Sequence, residues 1–466
     1  MSGPAQRDGA AGRVSGGAAP HGAFDRVLGL WHVTAAGVAV IIGAGIFVLL
    51  GEATRKAGGL VWLGFIVAAT LSALTALSYM ELASMYPKAS SEHEFTRHAF
   101  PAPVPFLTGW SMTIALVVAS ATVALGFARY LGEFVDVDVR LSAIVLVLVM
   151  AVVSATGMER ASWLITGLGV VEAGTLVAAI VAGAPHLGAH SLLTGPAAAG
   201  VAGAAAGVSG AAPSAVGGVL AAAALAFFAF IGFDEVITLA EETHEAHRTV
   251  PRALMAALAI STLLYVGVAI AGVSVLGADG LAASERPLAD LMSVAVGGDW
   301  ARAAAGAALL STASTVLLVL TAASRMMYGM AATGDLPGVL ARVQRRRVPG
   351  PALAATAVVA AALVAVRDLA WLAAATDALV YVTFIATNLS VIVLRFREPA
   401  TVRHFRVPGA VRGVPVVPAA AVVVVIVVAV RLERGALVAA AGIVGLGAVA
   451  WALSARRRPR PDTARG

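Results

Sequence analysis

The chain of 466 residues contains no cysteine, which excludes disulfides, thiolate metal sites and a cysteine nucleophile. Charge is scarce as well. Only 12% of residues are Asp, Glu, Lys or Arg, against roughly 25% in an ordinary soluble domain. Lysine is almost missing, with Lys56 and Lys88 alone, a bias toward arginine that fits a GC-rich bacterial genome. The histidines fall almost entirely in loops or at the ends of apolar runs, so neither a histidine cluster nor a nucleophile for an intramembrane enzyme stands out. No glycine-rich nucleotide loop is present, so ATP is not the expected power source. Catalytic residues, metal ligands and cofactors are therefore expected to be none.

What is present is hydrocarbon. The chain is 59% hydrophobic, with a mean hydropathy of +0.90. Apolar stretches fall at about 33–51, 59–85, 103–130, 141–156, 162–183, 216–240, 251–276, 298–331, 350–366, 369–394, 412–430 and 436–454. Each approaches the ~20 residues needed to cross a bilayer as a helix. The expectation is an all-α polytopic membrane protein of about twelve helices. The net charge of +6 is a matter of membrane orientation and not of nucleic-acid binding. Arg26, Lys88, Arg97, Arg160, Arg248, Arg252, Arg342, Arg395, Arg403 and the tail arginines Arg456–Arg460 all fall on one side. That side is cytoplasmic by the positive-inside rule, and it holds both termini.

Three parts are expected: a disordered Gly/Ala-rich tail over 1–25, one transmembrane domain over 26–455, and a basic tail over 456–466. Residues 1–25 lack the apolar centre of a cleaved leader. The uncharged stretch 184–215 reads as a long flexible external connection.

Two helices carry glycine in mid-membrane: IIGAGIFVLLG at 41–51 and FAFIGFDE at 228–235. Close packing of small residues is one reading. The other rests on the pair. The two segments lie five apart and so run in opposite directions, and matched interruptions of this kind point to a transporter built from inverted repeats. Exposed N–H groups at the start of a half-helix attract a carboxylate, and exposed carbonyls attract an ammonium group. If the second helix restarts after Gly232, Asp234 and Glu235 occupy its first turn, either as coupling acids or simply as helix caps. Glu241 and Glu242 are read as solvated or paired with Arg248 or Arg252.

These stretches also carry a resemblance. RVLGLWHVTAAGVAVIIGAGIFVLLG at 26–51, SYMELASMYPKA at 78–89, FFAFIGFDEVITLAEE at 227–242, TVPRAL at 249–254, SRMMYGMAATGDLP at 324–337 and LRFREPATVRHFRVPG at 394–409, in this order, resemble the amino acid–polyamine–organocation permeases, particularly the cationic amino acid transporter branch. The resemblance implies a leucine-transporter-like fold, two inverted five-helix repeats plus two helices, with helices 1 and 6 broken. It implies that the backbone of Ile42, Gly43, Ala44 and Gly45 holds a substrate carboxylate and that the carbonyls of Phe230, Ile231 and Gly232 hold its α-amino group. Phe233 is implied as a gating aromatic.

Two departures stand out. Where the family continues YPKA with glycines and an aromatic, this chain reads SSEHEF at 90–95, taken as a solvated loop. Glu172 stands where many proton-coupled relatives carry lysine. It is read in three ways: as a site that takes up and releases a proton, as part of a sodium site with Ser311, Thr312, Ser314 and Thr315, or as a buried structural contact. Asp377 either faces the external vestibule, selects a basic substrate or pairs with Arg367. Asn388 is expected to bond between helices, and Ser120 and Thr122 either line the pocket or pack.

The function expected is secondary active amino acid uptake across the bacterial plasma membrane, coupled to protons with sodium as the other option. The alternatives are a polyamine or organic-amine transporter or exchanger, and a membrane sensor that binds an amino acid without moving it.

Overall fold

A computed structural model describes residues 29–86, 92–156, 162–195, 214–238, 243–343 and 348–457. Each of the twelve expected apolar segments becomes a helix or a pair of helices. The first is split into α1 (Leu30–Ile42) and α2 (Gly45–Ala57), and α3 (Val61–Met85) returns. A short α4 (Glu92–Ala99) precedes α5 (Pro103–Leu131), followed by α6 (Val139–Ala155) and α7 (Ser162–Gly183). The second half begins with α8 (Ala215–Ala226), a 3-10 turn (Phe227–Phe230) and α9 (Glu235–Thr238). Then come α10 (Ala246–Ala283), α11 (Pro287–Ala295), α12 (Gly298–Ala332), α13 (Gly350–Val366), α14 (Leu369–Arg397), α15 (Val416–Ala429) and α16 (Arg434–Arg457). Eight of the helical stretches are long and apolar enough to cross a membrane, and four shorter apolar helices accompany them.

Burial follows the expected solvent. The α5 window is 89% buried and packs on α12 and α14, whereas the α16 window is 17% buried. Outward-facing Val152, Val170, Val181, Val423 and Leu446 are exposed, a surface suited to lipid tails. Backbone groups inside a bilayer must be satisfied within the chain. Helices meet that demand, and side chains secure their ends. Asp138 caps α6 through Leu141 N (2.7 Å), Ser214 caps α8 through Gly217 N (3.1 Å), and Asp368 caps α14 through Trp371 N (2.8 Å).

Polar locks close the two ends of the bundle. At the end holding α4, buried Glu81 of α3 accepts from Arg395 Nε (2.9 Å) and from Val407 N (2.8 Å). Arg403 lies 3.3 Å from the same carboxylate. This ties the segment after α14, which ends in a two-stranded hairpin of β1 (Ala410–Val411) and β2 (Val414–Pro415), onto α3. At the opposite end, Glu52 joins Arg55 (2.8 Å) and Arg129 (3.3 Å), and Arg286 joins Glu133 (2.6 Å).

One expectation for the connection 184–215 is corrected. Its first part is held down: Trp62 Nε1 donates to Leu192 O (3.2 Å), and His190 Nδ1 lies 3.0 Å from Ser274 O. Residues 196–213 lie outside the described residues, as do the tail over 1–25 and all of the tail over 456–466 except Arg456 and Arg457, which continue α16.

Candidate substrate site between two broken helices

Both glycine-marked helices are interrupted. In the first, α1 ends at Ile42, Gly43 takes φ +33°, and α2 starts two residues later. In the second, α8 passes through the 3-10 turn into extended Ile231 (φ −62°, ψ 137°) and then Gly232 at φ +110°. A side chain tolerates such positive φ poorly, so glycine fixes both break points. The breaks also meet. A Cβ on Gly45 would fall on the backbone of Ala229, and one on Gly232 would press on Val40 at 3.2 Å.

Tyr265, from the middle of α10, pins them together. Its hydroxyl lies 2.8 Å from Ile41 O, 3.1 Å from Ile42 O and 2.9 Å from Ala229 O. A phenol has one proton to donate. Three carbonyls from two breaks therefore converge on a single donor, which makes this spot rich in negative potential. Among the described residues, no backbone hydrogen bond outside the helices ends on the carbonyls of Phe230 or Ile231, whereas Gly232 O accepts from Glu235 N at 3.1 Å. So two of the three carbonyls expected to meet an ammonium group are unclaimed by the backbone, and the third is occupied. On the other side of the gap, the first N–H groups of α2 start at Gly45, where a helix N-terminus favours an anion.

Aromatic rings floor this region. Phe230 packs against Tyr265 (5.1 Å between centroids), and Phe233 packs edge-on against Tyr79 (5.6 Å) and Phe384 (5.5 Å). All five rings are fully buried or nearly so. Tyr79, Tyr265 and Phe384 were not singled out in the sequence. Tyr265 is legible afterwards as the lone aromatic in the apolar run STLLYVGVAIAGV at 261–273.

Glu172 sits behind the first break. It is buried on α7, whose Gly169 rests directly against Ala39 of α1. Ser311 of α12, its hydroxyl otherwise unpartnered, and Tyr265 of α10 are the polar groups beside it. Thr312 and Ser314 spend their protons on their own helix, on Ala308 O and Ser311 O.

Asp234 is half-buried in the turn after Gly232, and Glu235 is exposed. The neighbour of Asp234 corrects the reading of SSEHEF as a solvated loop. Residues 92–99 form α4, and the Glu92 side chain is buried, accepting from Tyr79 Oη at 3.0 Å. Burial, with Asp234 nearby, pushes its carboxyl up to about 7. The line from α4 to the break thus runs Glu92, Tyr79, Phe233.

The remaining expectations divide. Asn388 does bond across helices, with Ser78 (2.7 Å) and Thr75 (3.3 Å). Ser120 and Thr122 are buried and bond back to Val117 O and Val118 O of their own helix. Arg367 stacks on Trp371 at 4.3 Å and does not pair with Asp377. Arg248 lies 4.0 Å from Glu245, while Glu241 and Glu242 are outside the described residues.

The amino acid permease family model matches residues 28–446, which spans both breaks and every helix up to α16. The chain belongs to that family. The permease is 30% identical over 414 residues to the branched-chain amino acid permease BcaP of Bacillus subtilis, covering 85% of this chain and 86% of the relative. It is 25% identical over 418 residues to the methylthioribose transporter of the same organism, covering 84% and 85%. It is 27% identical to the vacuolar cationic amino acid transporter 2 of Arabidopsis thaliana, covering 80% of this chain and 60% of that one. Among solved structures, a substrate-bound, outward-open Na+-coupled sialic acid symporter superposes with a TM-score of 0.53 at 13% identity, covering 87% and 90%. At that identity the likeness speaks for the permease's fold alone: broken helices within inverted repeats.

Proposed function

We propose that this permease is a proton-coupled secondary transporter that takes up amino acids across a bacterial plasma membrane by alternating access, with both termini and α4 on the cytoplasmic side. The observation that carries the reading is the meeting of the two breaks. N–H groups at the start of α2 and the carbonyls of Phe230 and Ile231, on which no backbone hydrogen bond outside the helices ends among the described residues, offer opposite partial charges across one gap. That polarity suits a zwitterion with its carboxylate on the Ile42–Gly45 side and its α-amino group on the Phe230–Gly232 side. Phe233, set in its aromatic cluster, is assigned the closing of the cytoplasmic side. No bond of the substrate is made or broken; transport needs only differential affinity in two facing states and a coupled ion.

Glu172 is assigned the proton. It is an ionisable group inside a membrane helix, and such groups mark relays and ion pathways. It stands directly behind the first break, so its charge acts on the carbonyls that Tyr265 holds. The sodium reading keeps one specific support, the Thr315 hydroxyl beside Gly43, 3.6 Å from where a Cβ would sit. The test is labelled amino acid uptake into proteoliposomes under imposed pH or sodium gradients, repeated with Glu172→Gln. The proton assignment expects accumulation under an inward proton gradient, lost in the variant while substrate exchange persists. A variant that still concentrates substrate with protons refutes the role of Glu172. Accumulation driven only by sodium replaces the proton reading with the other. An esterified amino acid that competes as well as the free acid moves the substrate class toward polyamines or organic amines, because the carboxylate side is then idle.

A further inference from the structure

The connection between α14 and α15 carries charge that the fold does not use. Together with the last turn of α14 it holds Arg395, Arg397, Arg403, Arg406 and Arg412 against a single acid, Glu398. Three of the five arginines are committed. Arg395 and Arg403 close on Glu81, and Arg397 donates to Ala99 O (2.9 Å). Glu398 is occupied as well, accepting from Tyr86 Oη (3.0 Å) and Thr401 Oγ1 (3.1 Å). Arg406 and Arg412 are exposed and, among the described residues, make no hydrogen bond or ion pair.

Local structure turns both outward. Burial alternates along 402–407, with Arg403, Phe405 and Val407 turned in and Val402, His404 and Arg406 turned out, the period-2 pattern of extended chain. The hairpin then pairs Val411 with Val414, which leaves Arg412 and Gly413 at its tip with φ +51° and +87°. Two positive φ values make the tight turn that suits a hairpin, and Asn-Gly or Asp-Gly is its usual occupant. An arginine is strained there, and its side chain makes no bond that would offset the strain.

Both arginines stand close to the start of α15. Gly409 O accepts from the N–H of Val416, the first residue of α15, at 3.2 Å. Arg406 and Arg412 are each three residues from Gly409, so neither Cα lies more than about 11 Å from it. The same region is apolar. Phe396, Val411, Val414 and Val416 are exposed, and the Phe396 ring lies 3.5 Å from where a Cβ on Gly413 would stand. α14 is long and apolar enough to cross a membrane, and α15 continues into the exposed row Val423, Ile426 and Val430. The connection between two such helices lies at the membrane surface, where aliphatic groups meet the acyl boundary and arginines meet headgroups.

We infer that this hairpin is a docking surface for an anionic phospholipid: Phe396, Val411, Val414 and Val416 lie against its acyl chains, and the Arg406 and Arg412 guanidinium groups hold its negatively charged headgroup. Arginine suits the role because its planar fork meets a phosphate with two parallel hydrogen bonds. A zwitterionic lipid offers the same phosphate without net charge, so two uncompensated arginines favour the anionic one. This lipid site is independent of the transported substrate and of which end of the bundle faces the cytoplasm.

The test is native mass spectrometry of the full chain in neutral detergent, titrated with phosphatidylglycerol or with phosphatidylcholine. The wild type is expected to bind phosphatidylglycerol more tightly. Arg406→Gln/Arg412→Gln is expected to weaken the tightest phosphatidylglycerol site about 25-fold, at roughly 5-fold for each basic residue. Arg248→Gln/Arg252→Gln, which removes two exposed arginines at the start of α10, is expected to leave that site unchanged. Because the chain has no cysteine, Val411→Cys carries a single fluorophore, and in liposomes containing phosphatidylglycerol its emission is expected to be quenched by brominated acyl chains. Equal affinity for the two lipids overturns the site, as does wild-type affinity in the Arg406/Arg412 variant. An equal loss in the Arg248/Arg252 variant, or a label quenched only by aqueous iodide, overturns it too. None of these results bears on whether the protein transports amino acids.

Discussion

Replacing Tyr265 with phenylalanine removes one oxygen atom from the place where the two breaks meet. The ring stays, with its contacts to Phe65 at 5.8 Å and Phe230 at 5.1 Å, so packing is conserved. What disappears is the only side-chain donor bonded to the carbonyls of Ile41, Ile42 and Ala229 among the described residues. Losing a buried hydrogen bond and leaving its acceptor unsatisfied costs about 1–3 kcal/mol. Because the bond spans α1 and the second break, the cost falls on the conformer in which the breaks touch. A change of that size shifts the balance between conformers roughly 5- to 150-fold. Tyr265→Phe is therefore expected to unfold at a lower temperature in detergent and to transport with an altered apparent KM. Thermal melting of the purified protein and initial uptake rates over a range of substrate concentrations check this. A variant with wild-type melting and wild-type kinetics would refute the idea that this hydroxyl holds the two broken helices together.

Two further perturbations follow from the end of the bundle that holds α4. Glu81→Gln leaves Arg395 and Arg403, both buried, without their carboxylate; breaking a buried pair costs about 3–5 kcal/mol, so a marked fall in melting temperature is expected, and an unchanged midpoint contradicts it. Glu92 has its pKa raised from 4.5 to about 7 in the folded protein, so the native state binds its proton more tightly than the unfolded chain does. Its contribution is then fully present below about pH 4.5, lost as pH rises toward 7, and worth at most about 3 kcal/mol. Melting measured from pH 4.5 to 8 should slope downward in the wild type and flatten in Glu92→Gln; equal slopes in both proteins contradict the assignment.

Much of the fold is legible in the sequence because the bilayer makes a simple demand. A spanning segment must be apolar and helical, so twelve hydrophobic runs map onto the helices. The breaks are legible too, because Gly43, Gly45 and Gly232 stand at matched positions in two segments that run in opposite directions. What fails is burial that depends on tertiary contact. SSEHEF looks solvated because charged residues between helices usually are, yet Tyr79 of α3 draws Glu92 inward. The same holds for Tyr265: one aromatic in an apolar helix says nothing about which carbonyls it meets. The connection after α7 looks free because it is Gly- and Ala-rich, but the Trp62 and His190 bonds that hold its first part come from residues distant in sequence or use ordinary backbone acceptors. Asp377 is the intermediate case. Its placement within a membrane helix is plain from sequence, while the lack of any partner is a property of the packed structure.

The most direct test of the account is accumulation by the wild-type protein in sealed proteoliposomes, with a labelled amino acid outside and an inward proton gradient imposed. The account predicts that substrate rises above its equilibrium level inside and that the excess collapses when the gradient is dissipated. Binding of an amino acid without entry under either a proton or a sodium gradient would contradict it and leave a sensor in place of a transporter.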